Sequence, residues 1–297
     1  MALLTPEAYD AAEREAMKRL PNRVIEASRA VAFQAVGYPT RVSDVEELWR
    51  YADVMQETRL RLTFDAIGGL TEREFELLAQ ITGIVADLTE TLCRHRVVPG
   101  ASLMRAIPVY RAIKLHRPNG GSVFELGPGS GYVGALLAAD GYDYRSSDVA
   151  QAFFLWQMHL LRAIRPGIEE QQLPWWDWMS LTSPPAADVF TANHMLNEMH
   201  ARALVYTVKT AKEMLGKANP PGVFLVEDFG ATVLRKTEQT QSAFNAMGVA
   251  IGLVASNRDR VTTTRGWPDL ETLWADYGGV PRSDDERFLD SLGVAKM

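Results

Sequence analysis

The stretch Ser122-Val123-Phe124-Glu125-Leu126-Gly127-Pro128-Gly129-Ser130-Gly131-Tyr132-Val133 decides the fold. Its first five residues form a short apolar run of the kind buried in a parallel sheet. Three alternating glycines follow, and then the small apolar segment Val133 to Ala139, which reads as a helix. Strand, glycine turn and helix make one βα unit. Glycine lets the chain turn tightly and lets backbone approach a ligand closely. The helix start then offers free N–H groups. In an open α/β sheet, a ligand sits at the carboxyl ends of the strands.

Downstream, the same alternation continues. Tyr142 to Arg145 reads as a second strand, followed by Asp148 and a helix from about Ala150 to Ile164. Ala187 to Thr191 is a clear strand, Ala201 to Leu215 a helix, and Gly222 to Glu227 the strongest strand of the chain. Strands alternating with helices argue for a parallel sheet covered on both faces. Beyond that, Gln241 to Ser256 reads as a helix, Val261 to Thr264 as a late strand and Pro268 to Tyr277 as a helix.

Upstream, Pro118-Asn119-Gly120-Gly121 is a turn cluster that marks a boundary. The residues before it show helical period and caps. Pro6 after Thr5 suits a helix start. Ser43 to Glu46 and Thr71 to Glu74 both have the form of a capping box. Val45, Leu48, Trp49, Ala52 and Met55 recur at helical spacing, with Gly68-Gly69 as the stop. A further helix spans about Glu72 to His95. The next, from Ser102 to His116, is expected to break at Pro108.

Composition narrows the function classes. The 297 residues are 47% hydrophobic and 23% charged, with a net charge of -6. That range is ordinary for a globular protein, and the acidic balance disfavours nucleic acid or an anionic membrane surface as partner. A small molecule is the expected partner. One cysteine, Cys93, excludes an intramolecular disulfide and fits a reducing compartment. No apolar run approaches the ~20 residues needed to cross a bilayer. The start of the chain lacks the basic and apolar parts of a signal peptide. A cytoplasmic location is expected.

Three nucleotide-binding patterns compete for the loop. The dinucleotide fingerprint G-x-G-x-x-G does not fit, because Gly131 comes one residue early. The phosphate-binding P-loop needs Lys-Ser/Thr after its last glycine, whereas Tyr132 and Val133 stand here. What remains is Glu125 followed by G-x-G-x-G at a strand end.

That pattern resembles motif I of the class I S-adenosylmethionine-dependent methyltransferases. The resemblance covers roughly residues 120 to 230. It implies an α/β fold: a Rossmann-like, doubly wound, mostly parallel sheet in residues 119–297, preceded by an all-helical cap in residues 1–118. It implies S-adenosylmethionine as cofactor, held by Glu125, Gly127, Gly129, Gly131, Asp148, Asp177, Trp178 and Asn193. Asp148 lies about 20 residues beyond Gly127, where the family carries an acid that accepts hydrogen bonds from the ribose diol. The alternative role of Asp148 is a helix cap before Ala150. Asp177, in Trp175-Trp176-Asp177-Trp178, stands where the family has an acid near the adenine amine, and the tryptophans form either core or a stacking wall. The segment Asp188 to Glu198 resembles the fourth strand and the cofactor's methionine site. Within the family, Gly-Pro-Gly-Ser-Gly-Tyr after a long helical N-terminus looks like the group named sugar O-methyltransferases.

The implied activity is methyl transfer to a small-molecule acceptor, most readily at oxygen. His194 is the candidate base, since histidine is poised near neutral pH. Glu198 follows it on the same segment. Tyr132 follows the last glycine, where its ring either faces the sulfonium or packs in the core. His194, Glu198 and His200 lack zinc-site spacing, so no metal is expected. Glu227-Asp228 ends the last strong strand as acceptor ligands or loop solvation. Tyr110 and Arg111 are placed to cover the pocket, or to lie on a solvated face. The apolar N-terminal helices close over the site, form a homodimer interface, or do both. A second reaction on the same fold resembles the azetidine-2-carboxylate synthases, which cyclise the aminobutyrate arm of S-adenosylmethionine and release methylthioadenosine. No residue of this chain separates the two reactions.

Overall fold

The computed structural model describes residues 5–29, 39–54, 70–99, 101–193, 195–226 and 251–253. These residues form an α/β fold around one open sheet in which every strand pair is parallel. The strands are β1 (Ser122–Leu126), β2 (Asp143–Asp148), β3 (Leu173–Pro174), β4 (Val189–Thr191), β5 (Val223–Val226) and β6 (Ile251–Leu253), in spatial order β3-β2-β1-β4-β5-β6. Register is set on both sides of β1, where Glu125 pairs with Ser146 of β2 and Thr191 of β4.

The helices are α1 (Pro6–Met17), α2 (Asn22–Arg29), α3 (Trp49–Ala52), α4 (Glu72–Cys93), α5 (Ala101–Met104), α6 (Ile107–His116), α7 (Tyr132–Ala139), α8 (Gln151–Ile164), α9 (Trp175–Trp178) and α10 (Ala201–Gly216). Side chains of a strand point alternately to its two faces, and this sheet fills both. Val123, Val189 and Leu225 join one core with α7, α8 and the helices that precede β1. Phe124, Leu126, Phe190 and Phe224 join the other with Trp178 and α10. Phe124 stacks on Trp178 at 4.8 Å, and Phe190 lies 4.8 Å from Phe224. Each fully buried side chain of this size contributes about 1.5–3 kcal/mol.

Several local expectations hold. Thr5 caps α1 through the Ala8 amide. Thr71 and Glu74 form a reciprocal capping box on α4, which runs to Cys93 and ends at Arg94 in the left-handed conformation. The break near Pro108 falls at Arg105–Ala106, because proline is tolerated in the first turn of the helix that starts at Ile107.

Others are corrected. Asp44, not Ser43, caps the segment at residue 45, accepting from the Glu46 amide. The Ser43 hydroxyl goes to Glu47 instead. That segment is a 3-10 turn over Val45–Leu48 running into the short α3, which ends at Ala52. Met55, Gly68 and Gly69 lie outside the described residues. The second strand extends to Asp148 itself. The two-residue β3 escaped detection because Leu173-Pro174 carries no strand period. The helix read over Gln241 to Ser256 is overturned at residues 251–253, which pair with β5 as β6. A short apolar run does not distinguish helix from strand by period alone, and the edge of β5 offered unpaired backbone groups. Val261 to Thr264 and Pro268 to Tyr277 lie outside the described residues.

Among the described residues, no helix is long and apolar enough to cross a membrane.

Candidate functional site

The chain order reverses direction at β1: β2 lies on one side of it and β4 on the other. The crevice above that pair is where ligands sit in open α/β sheets. The glycine loop leaves β1 into this crevice. Gly127, Gly129 and Gly131 all have positive φ, at 66°, 57° and 77°. That conformation costs an L-residue about 1–2 kcal/mol, so the three positions are reserved for glycine by backbone geometry. The Gly127 amide donates to the Ser147 carbonyl at 2.9 Å, which carries the β1–β2 ladder into the loop. A Cβ on Gly127 would stand 3.0 Å from Met195 Cγ, and one on Gly131 2.8 Å from Gln157 Cγ.

Two side chains of α8 hold the loop from beneath. Trp156 Nε1 donates to the Ser130 carbonyl at 3.1 Å, and Gln157 Nε2 to the Gly129 carbonyl at 2.8 Å. Asp148, at the end of β2, is buried beside them. Its Oδ1 accepts from the Ala150 amide at 2.9 Å and its Oδ2 from the Gly129 amide at 3.3 Å. Burial pushes its carboxyl up to about 6, against the pull of those N–H donors. Asp148 does not cap α8: the N-cap is Ala150, and the helix start has no side-chain cap. The carboxylate instead joins the residue before α8 to the glycine loop.

Glu125 lies on the same face of the sheet and is buried. Its carboxylate accepts from the Tyr144 hydroxyl at 2.7 Å and from Asn193 Nδ2 at 3.1 Å. Asn193 Oδ1 in turn accepts from Thr191 at 3.2 Å. Glu125 thus ties β1 to β2 and to the end of β4. Gly134 makes this geometry available: a Cβ there would stand 2.3 Å from Tyr144 Cζ. This fourth glycine carries a role that the loop motif did not announce, although its place one helical turn after Gly131 was a usable signal.

The opposite side of the crevice is a pocket of about 460 Å³ of space not filled by protein atoms, part of it open to solvent. Its floor is Leu126, Gly127, Ser147 and Val149, at the ends of β1 and β2. Trp175, Trp178 and Met179 form one wall; Met195, Met199 and Ala203 form the other. Ala27 and Ser28 bring α2 over it. No charged side chain is among these lining residues. Ser147 Oγ and Trp178 Nε1 are buried there without a hydrogen-bond partner, as is Ser130 Oγ on the loop. An unpaired buried polar atom costs about 1–3 kcal/mol.

The sequence candidates divide. Gly127 and Trp178 line the pocket; Gly129 is bonded to Asp148, Glu125 to Asn193, and Gly131 is the N-cap residue of α7, all outside its lining. Asp177 is exposed, and the pocket is walled by its neighbours instead. Four residues of helix cannot turn both Asp177 and the tryptophans inward, and the apolar rings win the buried side. Tyr132 does not face the pocket. It is buried in the core and donates its hydroxyl to the Ala52 carbonyl, and burial pushes its pKa well above the usual phenol value. Glu198 ends a 3-10 turn over Leu196–Glu198, between the lining residues Met195 and Met199. His200 caps α10 through the Arg202 amide. His194, Glu227 and Asp228 lie outside the described residues. Tyr110 and Arg111 are engaged away from the pocket: Tyr110 donates to Asp140, and Arg111 makes a buried pair with Glu74 at 2.6 Å. Sequence reading missed Gln157, Ser147 and the methionines, because nothing local marks a glutamine or methionine as facing a distant loop.

No protein-family model matches this chain, and no curated protein matches it.

Proposed function

We propose that the protein binds S-adenosylmethionine in this crevice and transfers its methyl group to a hydroxyl of a small molecule. The observation that carries the reading is the loop itself. Three positive-φ glycines at the β1–β4 switch point have a buried carboxylate bonded to the middle one. In this reading the sheet and its helices are a Rossmann-like, doubly wound domain, and the preceding helices cap it.

The residues present fit the cofactor. Asp148 already accepts from the Ala150 and Gly129 amides and from Gln157; a carboxylate has about four acceptor sites, so about one is left for a ribose hydroxyl. Val149, Trp178 and Met179 make an apolar slot suited to a flat base, with Ser147 Oγ and Trp178 Nε1 as its unpaired polar atoms. Gly127 and Asn193, at the ends of β1 and β4, would hold the amino-acid arm. When bound, the cofactor supplies a methyl group on a positively charged sulfur.

The chain's own contribution is orientation and dryness. Alignment of acceptor and donor supplies several kcal/mol of a barrier of this type. The apolar lining, with Ala27 and Ser28 of α2 beside it, offers few partners to water in a pocket that is open to solvent on one part. Trp175 and Trp178 give aromatic faces to a cationic ligand. Glu198 stands beside the pocket as a carboxylate for an acceptor hydroxyl, on the segment that also carries His194.

The test is product analysis. The purified chain is incubated with S-adenosylmethionine, alone and with a panel of sugar and phenolic hydroxyl compounds, and products are identified by mass spectrometry. S-adenosylhomocysteine formed only with an acceptor supports methyl transfer. Methylthioadenosine formed without one overturns it in favour of cyclisation of the aminobutyrate arm. Absence of binding by calorimetry overturns both.

A further inference from the structure

Gly129 sits at φ 57°, and both of its polar backbone groups are held by side chains. Its N–H goes to Asp148 Oδ2 at 3.3 Å and its C=O receives Gln157 Nε2 at 2.8 Å. The same Gln157 Nε2 reaches Asp148 Oδ2 at 3.5 Å. A primary amide has two N–H donors, which suits one bond to each acceptor. At the other end of the amide, Gln157 Oε1 lies 3.3 Å from the Ser146 hydroxyl, whose single proton has a nearer acceptor in Gln172 Oε1 at 2.7 Å. Gln157 is 2% exposed, and its Cγ fills the space beneath Gly131.

We infer that Gln157 is a positioning residue for the cofactor site, clamping Gly129 from one side while donating to Asp148 so that this carboxyl is ionised when ligand arrives. The inference rests on the binding reading given above. A neutral carboxylic acid has a proton on one oxygen and loses acceptor capacity there, so a ribose diol and the Gly129 amide are best served by the ionised form. Burial opposes ionisation at this position; the Gln157 donor is among the contacts that favour it. Among the described residues, the other titratable groups that face Asp148 are Tyr9 of α1 and Tyr144 of β2, both pushed above the usual phenol range and neutral at ordinary pH. Around Tyr9 stand Asp10, Glu13 and Arg41, which pair with one another. The donors closest to the carboxylate are therefore the backbone amides and Gln157.

Two variants and one wild-type measurement test this. Gln157→Met keeps the length and the packing under Gly131 but removes the donors. Gln157→Glu keeps the shape and places a second carboxyl beside the first. The Asp148 midpoint is followed by carboxyl carbon NMR in the unliganded protein, and the affinity for S-adenosylhomocysteine is measured from pH 5 to 9. Expected in Gln157→Met is a midpoint raised by about one unit and an affinity about tenfold weaker near pH 6, recovering toward wild type at high pH. Gln157→Glu is expected to titrate as a coupled pair, with the upper midpoint above that of wild type. In wild type, the Gln157 side-chain amide resonances are expected to shift with the Asp148 midpoint. An unmoved midpoint, a loss of affinity equal at every pH, or wild-type amide resonances blind to the titration overturns the inference. Failure of wild type to bind S-adenosylhomocysteine at any pH sinks the binding reading instead, and the NMR arm still decides whether Gln157 controls Asp148.

Discussion

Tyr144 reaches Glu125 across the top of Gly134. The Tyr144 hydroxyl donates to Glu125 at 2.7 Å, and the ring passes where a side chain at position 134 would stand. Helix α7 and strand β2 are thereby packed at a distance that glycine alone permits. Gly134→Ala is expected to destabilise the protein by about 1–3 kcal/mol through overpacking, although alanine is the better helix former by about 1 kcal/mol. Urea denaturation gives the sign. A stabilised variant would show that helix propensity outweighs the clash, and that the Tyr144 position is not held.

Asp148 gives a pH dependence with a definite sign. Its folded pKa, about 6, lies above the usual 3.8, so the native state holds this proton more tightly than the unfolded chain does. As pH rises between those values, the unfolded state ionises first, and stability falls. Above pH 6 the cost is on the order of 3 kcal/mol. Asp148→Asn is expected to remove that decline while weakening S-adenosylmethionine binding. Denaturation curves across the window, run on both proteins, check it. An equal decline in the variant would assign the effect to other groups.

Gly129 tests the loop without steric confusion, since nothing stands within 4 Å of where its Cβ would be. Gly129→Val is expected to cost about 1–2 kcal/mol of stability from the left-handed backbone alone. It is expected to weaken cofactor affinity by tenfold or more, because the Asp148 and Gln157 bonds both end on this residue. Calorimetric titration measures the second effect. Unchanged affinity would remove the loop from the site.

Tyr132 separates structure from chemistry. Its hydroxyl is donated to the Ala52 carbonyl, joining α7 to α3 in the core. Tyr132→Phe is expected to lower stability by about 1–2 kcal/mol and to leave cofactor affinity and turnover unchanged. A loss of turnover without loss of stability would return this side chain to the reaction.

Much of the fold was legible because its signals are local. The capping box at Thr71, the strand at Val223 and the run from Ser122 through the glycines each state their structure within a few residues. The site was legible only as far as backbone chemistry reaches. Glycine at 127, 129 and 131 announces a loop that needs positive φ, and an acid about 20 residues on announces a second strand end. Asp177 and Tyr132 looked equally eligible from sequence; Asp177 is left exposed because the tryptophans of its short helix take the buried side, and Tyr132 is buried in the core.

The sequence by itself determined the strand–turn–helix unit around Gly127 to Gly131, the alternation that makes the sheet parallel, and the acidic positions at 125 and 148. These follow from backbone sterics and from hydrophobic patterning, which act over a few residues. Only the tertiary structure decided that β3 exists, that β6 rather than a helix follows β5, and that Gln157 and Trp156 hold the loop. It also decided that Glu125 faces Tyr144 and that Tyr132 faces Ala52. Those outcomes depend on which distant segment supplies a hydrogen-bond partner or fills a space, and that choice is settled by packing the whole chain against the sheet.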